Sequence, residues 1–495
     1  MASFYVENFG CRATQADGAA IERQFQERGL DRADTPAQAK VVVLNTCTVT
    51  AAADQDARAA IRRIRRQNPD CQIVVTGCYA QRAPEEVAAL PGVSCVVGNS
   101  HKHQIADLGL LTSDLGPQAA NLETPALQPA RTFVPLSSLT PAMPSPSSEV
   151  QGLMSDARGP IFVSDIFAHT ELLAAPVFDA ANQRTRPNLK VQDGCDNRCS
   201  FCVIPYVRGQ SRSLPLARVL DEVNTLVAAG YREVVISGIN LGRWGREAVV
   251  SQGVGAADDG RLMTDDRRLT TLIHSILAHT ALEKLRISSV EPMDWSDDLI
   301  ALVAGSPRIA KHAHVPMQSA SDRVLRAMHR KYRPWHYREK IEKIRAAMPA
   351  AAIGADVMVG FPGESDADFE ATRRMVDELP FTYLHVFTYS PRPGTPAAAL
   401  PAQVPVELAR QRNRVLRELA AEKKLAFMRS FVGETVEVIT LNQSSAGYTE
   451  CLTDNYLKLH LRGHHEANRW LTARVESVED GAMFGTCSNP EGAPS

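Results

Sequence analysis

Short apolar runs alternate with amphipathic segments over the first hundred residues of the chain. Strands are predicted at 3–10, 41–45, 72–77 and 94–99, where apolar and β-branched residues dominate. Helices are predicted between them at 16–28, 54–67 and 84–89. Because strands and helices alternate at this spacing, we expect an open parallel α/β domain at residues 1–105.

The same alternation resumes near residue 187 and continues for six strand–helix units. Strands are predicted at 188–193, 233–238, 284–290, 312–317, 353–360 and 383–390. Helices are predicted at 215–229, 268–279, 296–305, 321–329, 335–348 and 366–378. Six units are fewer than a full barrel of eight requires, so the pattern predicts a curved, partly closed (β/α)6 barrel at 187–428.

The last part of the chain changes from a charged helical pattern to short strands. A helix is predicted at 406–430, followed by strands at 434–440, 448–453, 456–461 and 470–478. Short strands at this spacing predict a small β-barrel at 429–490. Two roles fit such a barrel: an RNA-binding domain like the oligonucleotide-binding folds, or a structural cap without a ligand.

Two segments interrupt this organisation. Residues 106–186 include a long stretch rich in Pro, Ser and Ala with little periodicity, which predicts an insertion or linker. Residues 243–268 hold a stretch rich in Gly and Asp and are predicted to be a loop insertion.

The charge balance narrows the possible partners. The formal net charge is -2, so a nucleic acid would have to be bound by a local basic patch. One candidate is the helix at 54–67, whose arginines fit either a phosphate-contacting patch or a solvated helix face. They are Arg58, Arg62, Arg63, Arg65 and Arg66. The chain has no apolar run of about 18 residues and no signal-peptide pattern, so we expect a cytoplasmic protein without a membrane partner.

Three of the ten cysteines follow predicted strands of the first domain. Cys11, Cys47 and Cys78 each come directly after the carboxyl end of a strand, in the contexts FGC, NTC and TGC. In an open parallel sheet those ends meet at one functional edge, so we expect the three thiols to converge there. The alternative is buried, inert cysteine, which is the interpretation we favour for Cys71 and Cys95.

A second group of cysteines lies in the sequence VQDGCDNRCSFCVIPYVRGQSR at 191–212. Cys195, Cys199 and Cys202 are spaced C-x3-C-x2-C directly after the first barrel strand. Three thiolates leave one iron of a four-iron cluster without a cysteine ligand, and an open metal position is what a catalytic site needs. Zinc is the alternative metal, although no second C-x2-C pair lies nearby. A cluster here would sit at the C-terminal face of the barrel.

Several motifs taken together resemble those of the radical S-adenosylmethionine (SAM) methylthiotransferases. They are NTCTVT, GCYAQ, GCDNRCSFCVIPYVRG, HVPMQSASDRVLRAMHR and ADVMVGFPGES. The resemblance covers nearly the whole chain except the two insertions. It implies an N-terminal three-cysteine domain, a radical-SAM barrel and a C-terminal TRAM domain. Three positions depart from the family's usual residues: Thr14 stands in place of Asn, Ala19 of Glu and Ala320 of Gly.

The resemblance also implies the cofactors. Cys195, Cys199 and Cys202 would hold the radical-SAM [4Fe-4S] cluster, and Cys11, Cys47 and Cys78 an auxiliary [4Fe-4S] cluster that carries sulfur. One SAM molecule would supply a methyl group, and another would be cleaved to a 5′-deoxyadenosyl radical that abstracts hydrogen from a C–H bond, which methylthio then replaces.

Residues at the strand ends are the candidates for holding SAM, with strand-end structural polarity as the alternative. They are Gly238, Asn240, Ser289, Glu291 and Gln318, with Phe201 packed near the adenine.

The substrate implied by the resemblance is a modified adenosine in tRNA. NTCTVT and GCYAQ look most like the branch that acts on N6-threonylcarbamoyladenosine at position 37, with methylthio added at C2. The implied partners are the anticodon stem-loop of tRNA and a reducing electron donor such as flavodoxin or ferredoxin. The same chemistry on N6-isopentenyladenosine or on a ribosomal-protein aspartate is an alternative. A non-catalytic, metal-containing RNA-binding protein is an alternative of another class.

Overall fold

The computed structural model of the chain describes residues 2–111, 159–169, 172, 186–246, 268–445 and 447–488. Most of the predicted insertion at 106–186 and of the predicted loop insertion at 243–268 lies outside these ranges. Within them, no helix combines the length and the apolar character needed to cross a membrane.

The N-terminal unit is a parallel sheet of six strands with helices on both faces. Its strands are β1 (Ser3–Asn8), β2 (Asp31–Arg32), β3 (Val41–Thr46), β4 (Gln72–Gly77), β5 (Val93–Val97) and β6 (Ile161–Phe162), in the order β2-β1-β3-β4-β5-β6. Its helices are α1 (Arg12–Glu27), α2 (Ala51–Gln67), α3 (Cys78–Arg82), α4 (Pro84–Ala88) and α5 (Ile105–Leu111). Two separate apolar cores form because the continuous apolar strands bury side chains on both faces of the sheet.

The central unit contains the six predicted parallel strands, which confirms the partial barrel. They are β7 (Asn188–Lys190), β10 (Glu233–Ser237), β11 (Lys284–Ile287), β12 (His312–His314), β13 (Ala352–Val359) and β14 (Tyr383–Thr388). They form two sheets, β11-β10-β7 and β12-β13-β14, which a parallel bridge between Leu285 and Ile309 brings together. The short hairpin of β8 (Gln192–Asp193) and β9 (Arg212–Ser213) frames the C-x3-C-x2-C loop.

Helices follow the central strands, and most of them cover the outside of this partial barrel. They are α6 (Ile204–Arg208), α7 (Leu216–Ala228), α8 (Arg268–His279), α9 (Asp297–Gly305), α10 (Asp322–Ala327), α11 (Pro334–Ala347), α12 (Asp366–Glu378) and α13 (Val406–Arg429). The largest apolar core of the protein lies between these helices and the strands.

The C-terminal unit is a closed five-stranded barrel, which confirms the predicted small β-barrel. Its strands are β15 (Thr435–Ser445), β16 (Tyr448–Thr453), β17 (Lys458–Arg462), β18 (Trp470–Glu479) and β19 (Ala482–Cys487), in the order β15-β16-β17-β19-β18. Strand β19 was not predicted, because Gly485 inside a run of six residues weakens the strand pattern.

The C-terminal barrel packs against the N-terminal ends of the central strands. Lys284, at the start of β11, pairs with Glu437 at 3.0 Å and with Asp454 at 3.3 Å. Asn455 Nδ2 donates to the carbonyl oxygen of Ala350 at 2.9 Å, just before β13. These contacts place the β16–β17 turn beneath the interior of the central barrel.

Candidate active site

A cavity of about 1010 Å³ opens where the three units meet. Cys195, Cys199 and Cys202 line it together with Cys11 from the N-terminal unit. The polar ends of the central strands form another part of the wall, and the β16–β17 turn reaches it from below. The cavity is therefore bounded by residues from all three units. We expect the shape of the site to depend on how the three units pack against one another.

The backbone ties the C-x3-C-x2-C loop into a fixed shape. Cys195 N donates to the carbonyl oxygen of Gly209 at 3.1 Å, and Cys202 N donates to that of Cys199 at 3.1 Å. Gly194 has φ 71°, and a Cβ at this position would overlap the carbonyl oxygen of Gln210. Only glycine fits both the left-handed backbone and the close approach, so the residue before the first cysteine fixes the path of the loop.

The three cysteines of the N-terminal unit follow β1, β3 and β4, as predicted. Cys47 and Cys78 are only 4% and 2% exposed, whereas Cys11 is exposed and lines the cavity. A Cβ on Gly10 would lie 3.0 Å from Cys47 Sγ, which shows how closely the segment beside Cys11 approaches Cys47. Cys78 packs against Val207 of α6, directly behind the C-x3-C-x2-C loop. The two groups of thiols are thus neighbours in space.

Burial and repulsion from neighbouring thiols make Cys47 and Cys202 weak acids in the protein without metal. Burial raises the pKa of Cys47 to about 12, and the neighbouring thiols of Cys78 and Cys11 add to this effect. Burial likewise raises the pKa of Cys202 to about 12, with Cys199 contributing. Cysteine thiolates placed close together repel one another. The positive charge of the iron ions in an iron–sulfur centre would offset this repulsion and stabilise the thiolates.

All six residues predicted to hold SAM line the same cavity. They are Phe201, Gly238, Asn240, Ser289, Glu291 and Gln318. Asn240 Oδ1 and Ser237 Oγ are buried there without a hydrogen-bond partner among the described residues. Gln318 has φ 62°, an uncommon backbone conformation for this residue type that is often found at ligand sites. Unused polar atoms beside open space fit a polar ligand such as SAM, and the role of the six residues stays a prediction.

Sequence reasoning missed an arginine beside the C-x3-C-x2-C loop. Arg330 Nη1 donates to Cys199 Sγ at 3.3 Å, and its other nitrogen pairs with Glu291. The Arg330 guanidinium also lies 4.9 Å from the ring centroid of Tyr332. These partners hold a positive charge against a thiol that would be negative once it binds iron. Arg330 ends the motif HVPMQSASDRVLRAMHR, but that motif does not show its partners, which come from distant segments.

A buried charge network joins the N-terminal unit to the central barrel next to the thiols. Asp17 on α1 accepts bonds from Lys102 and Arg208, each at 3.0 Å, and from Lys190 on β7. Asp193 accepts from Lys190 at 2.8 Å and from Arg208 at 3.0 Å. The network fixes α1, and with it Cys11, relative to the barrel.

Three of the five arginines of α2 are tied to other parts of the N-terminal unit. Arg58 pairs with Glu86, Arg63 pairs with Glu7 at 2.5 Å, and Arg65 donates to two backbone carbonyl oxygens. Arg62 and Arg66 each donate to a carbonyl oxygen one turn earlier in the helix. These contacts favour the structural interpretation for Arg58, Arg63 and Arg65, whereas the exposed guanidinium groups of Arg62 and Arg66 still fit either interpretation.

Comparison with known proteins agrees with this arrangement. Residues 3–98 match the family model described as Uncharacterized protein family UPF0004, and residues 189–376 match the Radical SAM superfamily. The chain is 33% identical to the threonylcarbamoyladenosine tRNA methylthiotransferase MtaB of Bacillus subtilis, over 94% of this chain and 91% of that protein. It is 32% identical to the tRNA-2-methylthio-N(6)-dimethylallyladenosine synthase of Erythrobacter litoralis, over 88% of this chain and 86% of that protein.

A solved structure shares the fold. The radical S-adenosylmethionine methyltransferase TsrM from Kitasatospora setae aligns with a TM-score of 0.51 at 16% identity, over 80% of this chain and 74% of that chain. At this identity the likeness concerns the fold alone. The family-model matches and the 33% identity over nearly the full length establish that the chain belongs to the radical-SAM methylthiotransferase family.

Proposed function

We propose that this protein adds a methylthio group to C2 of N6-threonylcarbamoyladenosine at position 37 of tRNA. The observation that carries the proposal is one cavity lined by the three cysteines of the C-x3-C-x2-C loop and by Cys11, in a chain of the methylthiotransferase family. The relatives named MtaB match over nearly the whole length of this chain and of their own.

The family uses SAM and two [4Fe-4S] clusters, and the six predicted cysteines fit them. We assign Cys195, Cys199 and Cys202 to the radical-SAM cluster, and Cys11, Cys47 and Cys78 to the auxiliary cluster. When bound, these groups supply a carbon-centred radical and the methylthio group. Cys11 and the three cysteines of the C-x3-C-x2-C loop would hold the two clusters beside one cavity, where a base could be bound.

The side chains around the cavity have separable roles in this proposal. Asn240 and Ser289 supply polar contacts to SAM, and Phe201 supplies an apolar surface for its adenine. Arg330 holds a positive charge against Cys199 and keeps Glu291 in place.

The partner is tRNA, and we propose that the anticodon stem-loop enters the cavity while flavodoxin or ferredoxin supplies electrons. We further propose that 429–490 is a TRAM-like RNA-binding domain, beside the auxiliary-cluster domain at 1–105, the insertion at 106–186 and the barrel at 187–428. A cytoplasmic location fits a substrate of this kind and the free thiols of all ten cysteines.

Two measurements test the proposal. Anaerobic reconstitution should give about eight irons per chain if both sites hold four-iron clusters. Mass spectrometry of tRNA nucleosides from a deletion strain should show loss of methylthio-threonylcarbamoyladenosine, and its return when the gene is restored. Zinc in place of iron would support the non-catalytic alternative, and loss of the methylthio-isopentenyl nucleoside would support the other branch.

A further inference from the structure

The cavity is strongly biased toward positive charge. Its lining includes six arginine or lysine side chains and two carboxylates, and one of these carboxylates, Glu291, pairs with Arg330. Among the described residues, Arg12, Arg417 and Lys424 have no carboxylate within salt-bridge distance. Cations that line an open cavity without a counter-charge favour an anionic ligand.

Of these three cations, Arg12 contacts the C-terminal barrel. Its Nη2 donates to the hydroxyl of Tyr456 at 3.2 Å. Tyr456 lies 6.4 Å from the ring of Tyr383, whose hydroxyl hydrogen-bonds His312 Nε2 at 2.7 Å. We call Arg12, His312, Tyr383 and Tyr456 the polar floor; all four line the cavity.

The polar floor has features of a binding site that is built in advance. An arginine has five N–H donors, and Tyr456 takes one of those of Arg12. Tyr456 has φ 72°, a strained conformation for a large aromatic residue, and such strain persists where the surrounding structure holds a functional side chain in place. Burial, with help from nearby positive groups including Arg12, keeps the pKa of His312 well below its usual value, so this imidazole is neutral.

A divalent cation fits this end of the cavity less well than an anion. His314, Asp356 and His385 hold potential ligand atoms within 4.8 Å of one another, which are residue types that bind transition metals. The positive charge of Arg12 is close enough to help lower the pKa of His385, after burial and the neighbouring His314. The same charge would repel a metal ion.

We propose that Arg12, supported by Tyr456, binds the carboxylate of the threonylcarbamoyl group and thereby selects this nucleoside over the isopentenyl one. The inference rests on the proposed function, because it concerns the substrate of the same site. Arg12 directly follows Cys11, so the N6 substituent and the reacting edge of the base would be read from the same turn of α1. An isopentenyl group is apolar and would leave the guanidinium without its counter-charge in the cavity, which is an effective way to reject a wrong substrate.

The test uses reconstituted holoenzyme and two anticodon stem-loop RNAs. One carries threonylcarbamoyladenosine, and the other carries the threoninamide analogue, in which a neutral amide replaces the carboxylate. Wild type should prefer the acid. Arg12→Gln should lower kcat/KM for the acid by about 10- to 100-fold, as expected for a lost hydrogen bond to a charged group. The ratio of kcat/KM for the acid to kcat/KM for the amide should fall as well. Arg12→Lys should keep part of the preference for the acid RNA. Tyr456→Phe should lower kcat/KM for the acid RNA less than Arg12→Gln does.

Controls separate the possible outcomes. Arg218→Gln removes an exposed arginine of α7 and should not change the preference. If Arg12→Gln weakens methylthiolation and binding of both RNAs equally, Arg12 contacts a phosphate and the inference is overturned. If wild type discriminates between the two RNAs no better than Arg12→Gln does, the inference is also overturned. If wild type cleaves SAM but leaves the acid RNA unmodified, the proposed function itself is wrong.

Discussion

Replacing Asp17 by Asn tests how much the buried charge network stabilises the protein. Asp17 is 1% exposed and accepts bonds from Lys102, Lys190 and Arg208. The asparagine has nearly the same shape, but it removes the negative charge and turns an N–H group toward cations. Lys190 and Arg208 would then depend on Asp193 alone for negative charge, and Lys102 would keep only its hydrogen bond to Asn45.

The expected loss follows from the burial of the network. Removing one partner of a buried ion pair typically costs about 3 to 5 kcal/mol, because the remaining charges stay out of water without compensation. For a cooperative unit of 150–250 residues, this corresponds to a Tm lower by about 6 to 20 °C. The change should loosen α1 from the barrel first, since Asp17 is on α1 and Lys190 and Arg208 are on the barrel side.

The assay is anaerobic thermal unfolding of the protein at neutral pH, with Asp107→Asn as the matched control. Asp107 pairs with Arg28 at 2.7 Å, but both side chains are partly exposed, Arg28 at 41% and Asp107 at 30%, so the same substitution should cost about 0 to 1 kcal/mol. If Asp17→Asn lowers Tm no more than Asp107→Asn does, the network is not a stabilising contact between the two units.

The pH dependence provides a second check on Asp17. Burial alone would raise the pKa of its carboxyl, but the charges of Lys102, Lys190 and Arg208 outweigh burial and lower it. A carboxyl with a lowered pKa contributes its full stability above its unfolded-state pKa of about 3.9, and this is lost as the pH falls toward the folded-state value. The difference in Tm between wild type and Asp17→Asn should therefore be constant near neutrality and shrink below about pH 4.

Three further predictions concern the cysteine sites and the SAM site. Cys47→Ala should lower bound iron from about eight to about four per chain and abolish methylthiolation while SAM cleavage persists, whereas Cys71→Ala should keep the full iron content; equal iron in both variants would contradict the ligand assignment. Gly194→Ala should disrupt iron binding at the C-x3-C-x2-C loop, but Gly230→Ala, with φ 89° and open space around it, should cost only about 1 kcal/mol and leave iron unchanged. Asn240→Ala should weaken SAM binding, measured by equilibrium dialysis, by about 10-fold at unchanged iron content; unaltered affinity would remove Asn240 from the SAM site.

The sequence predicts well the strands that carry the site and the cysteines at their ends, because both follow from strand periodicity. Cysteines placed directly after parallel strands must come to one edge of the sheet, and the structure does bring Cys11 to the cavity that the C-x3-C-x2-C loop lines. The six central strands are also readable, since each is a short apolar or β-branched run between helical patterns. Strand β6 was not placed, because two residues after a long insertion carry no periodic signal.

What the sequence does not show are contacts between distant segments. Arg12 and Tyr456 are 444 positions apart, and Arg330 and Cys199 are 131 apart, so no local pattern connects them. Charge alone also misleads: Arg58 and Arg63 of α2 look available to a phosphate until their partners Glu86 and Glu7 are known. Side-chain pairing across the fold decides which charges remain available to a ligand.

The polar floor has a consequence for how specificity is inherited among related enzymes. Arg12 comes from the first helix of the chain and Tyr456 from its last unit, so neither end carries the recognition element alone. Consider a chimera that takes only its C-terminal barrel from a relative with a different substrate. It would receive the relative's residue at position 456 but keep Arg12, so it would carry only one of the two residues that recognise the substrate. The effect of a substitution at either position on substrate binding would depend on the residue at the other. Selection would therefore constrain the two ends of the gene to change together.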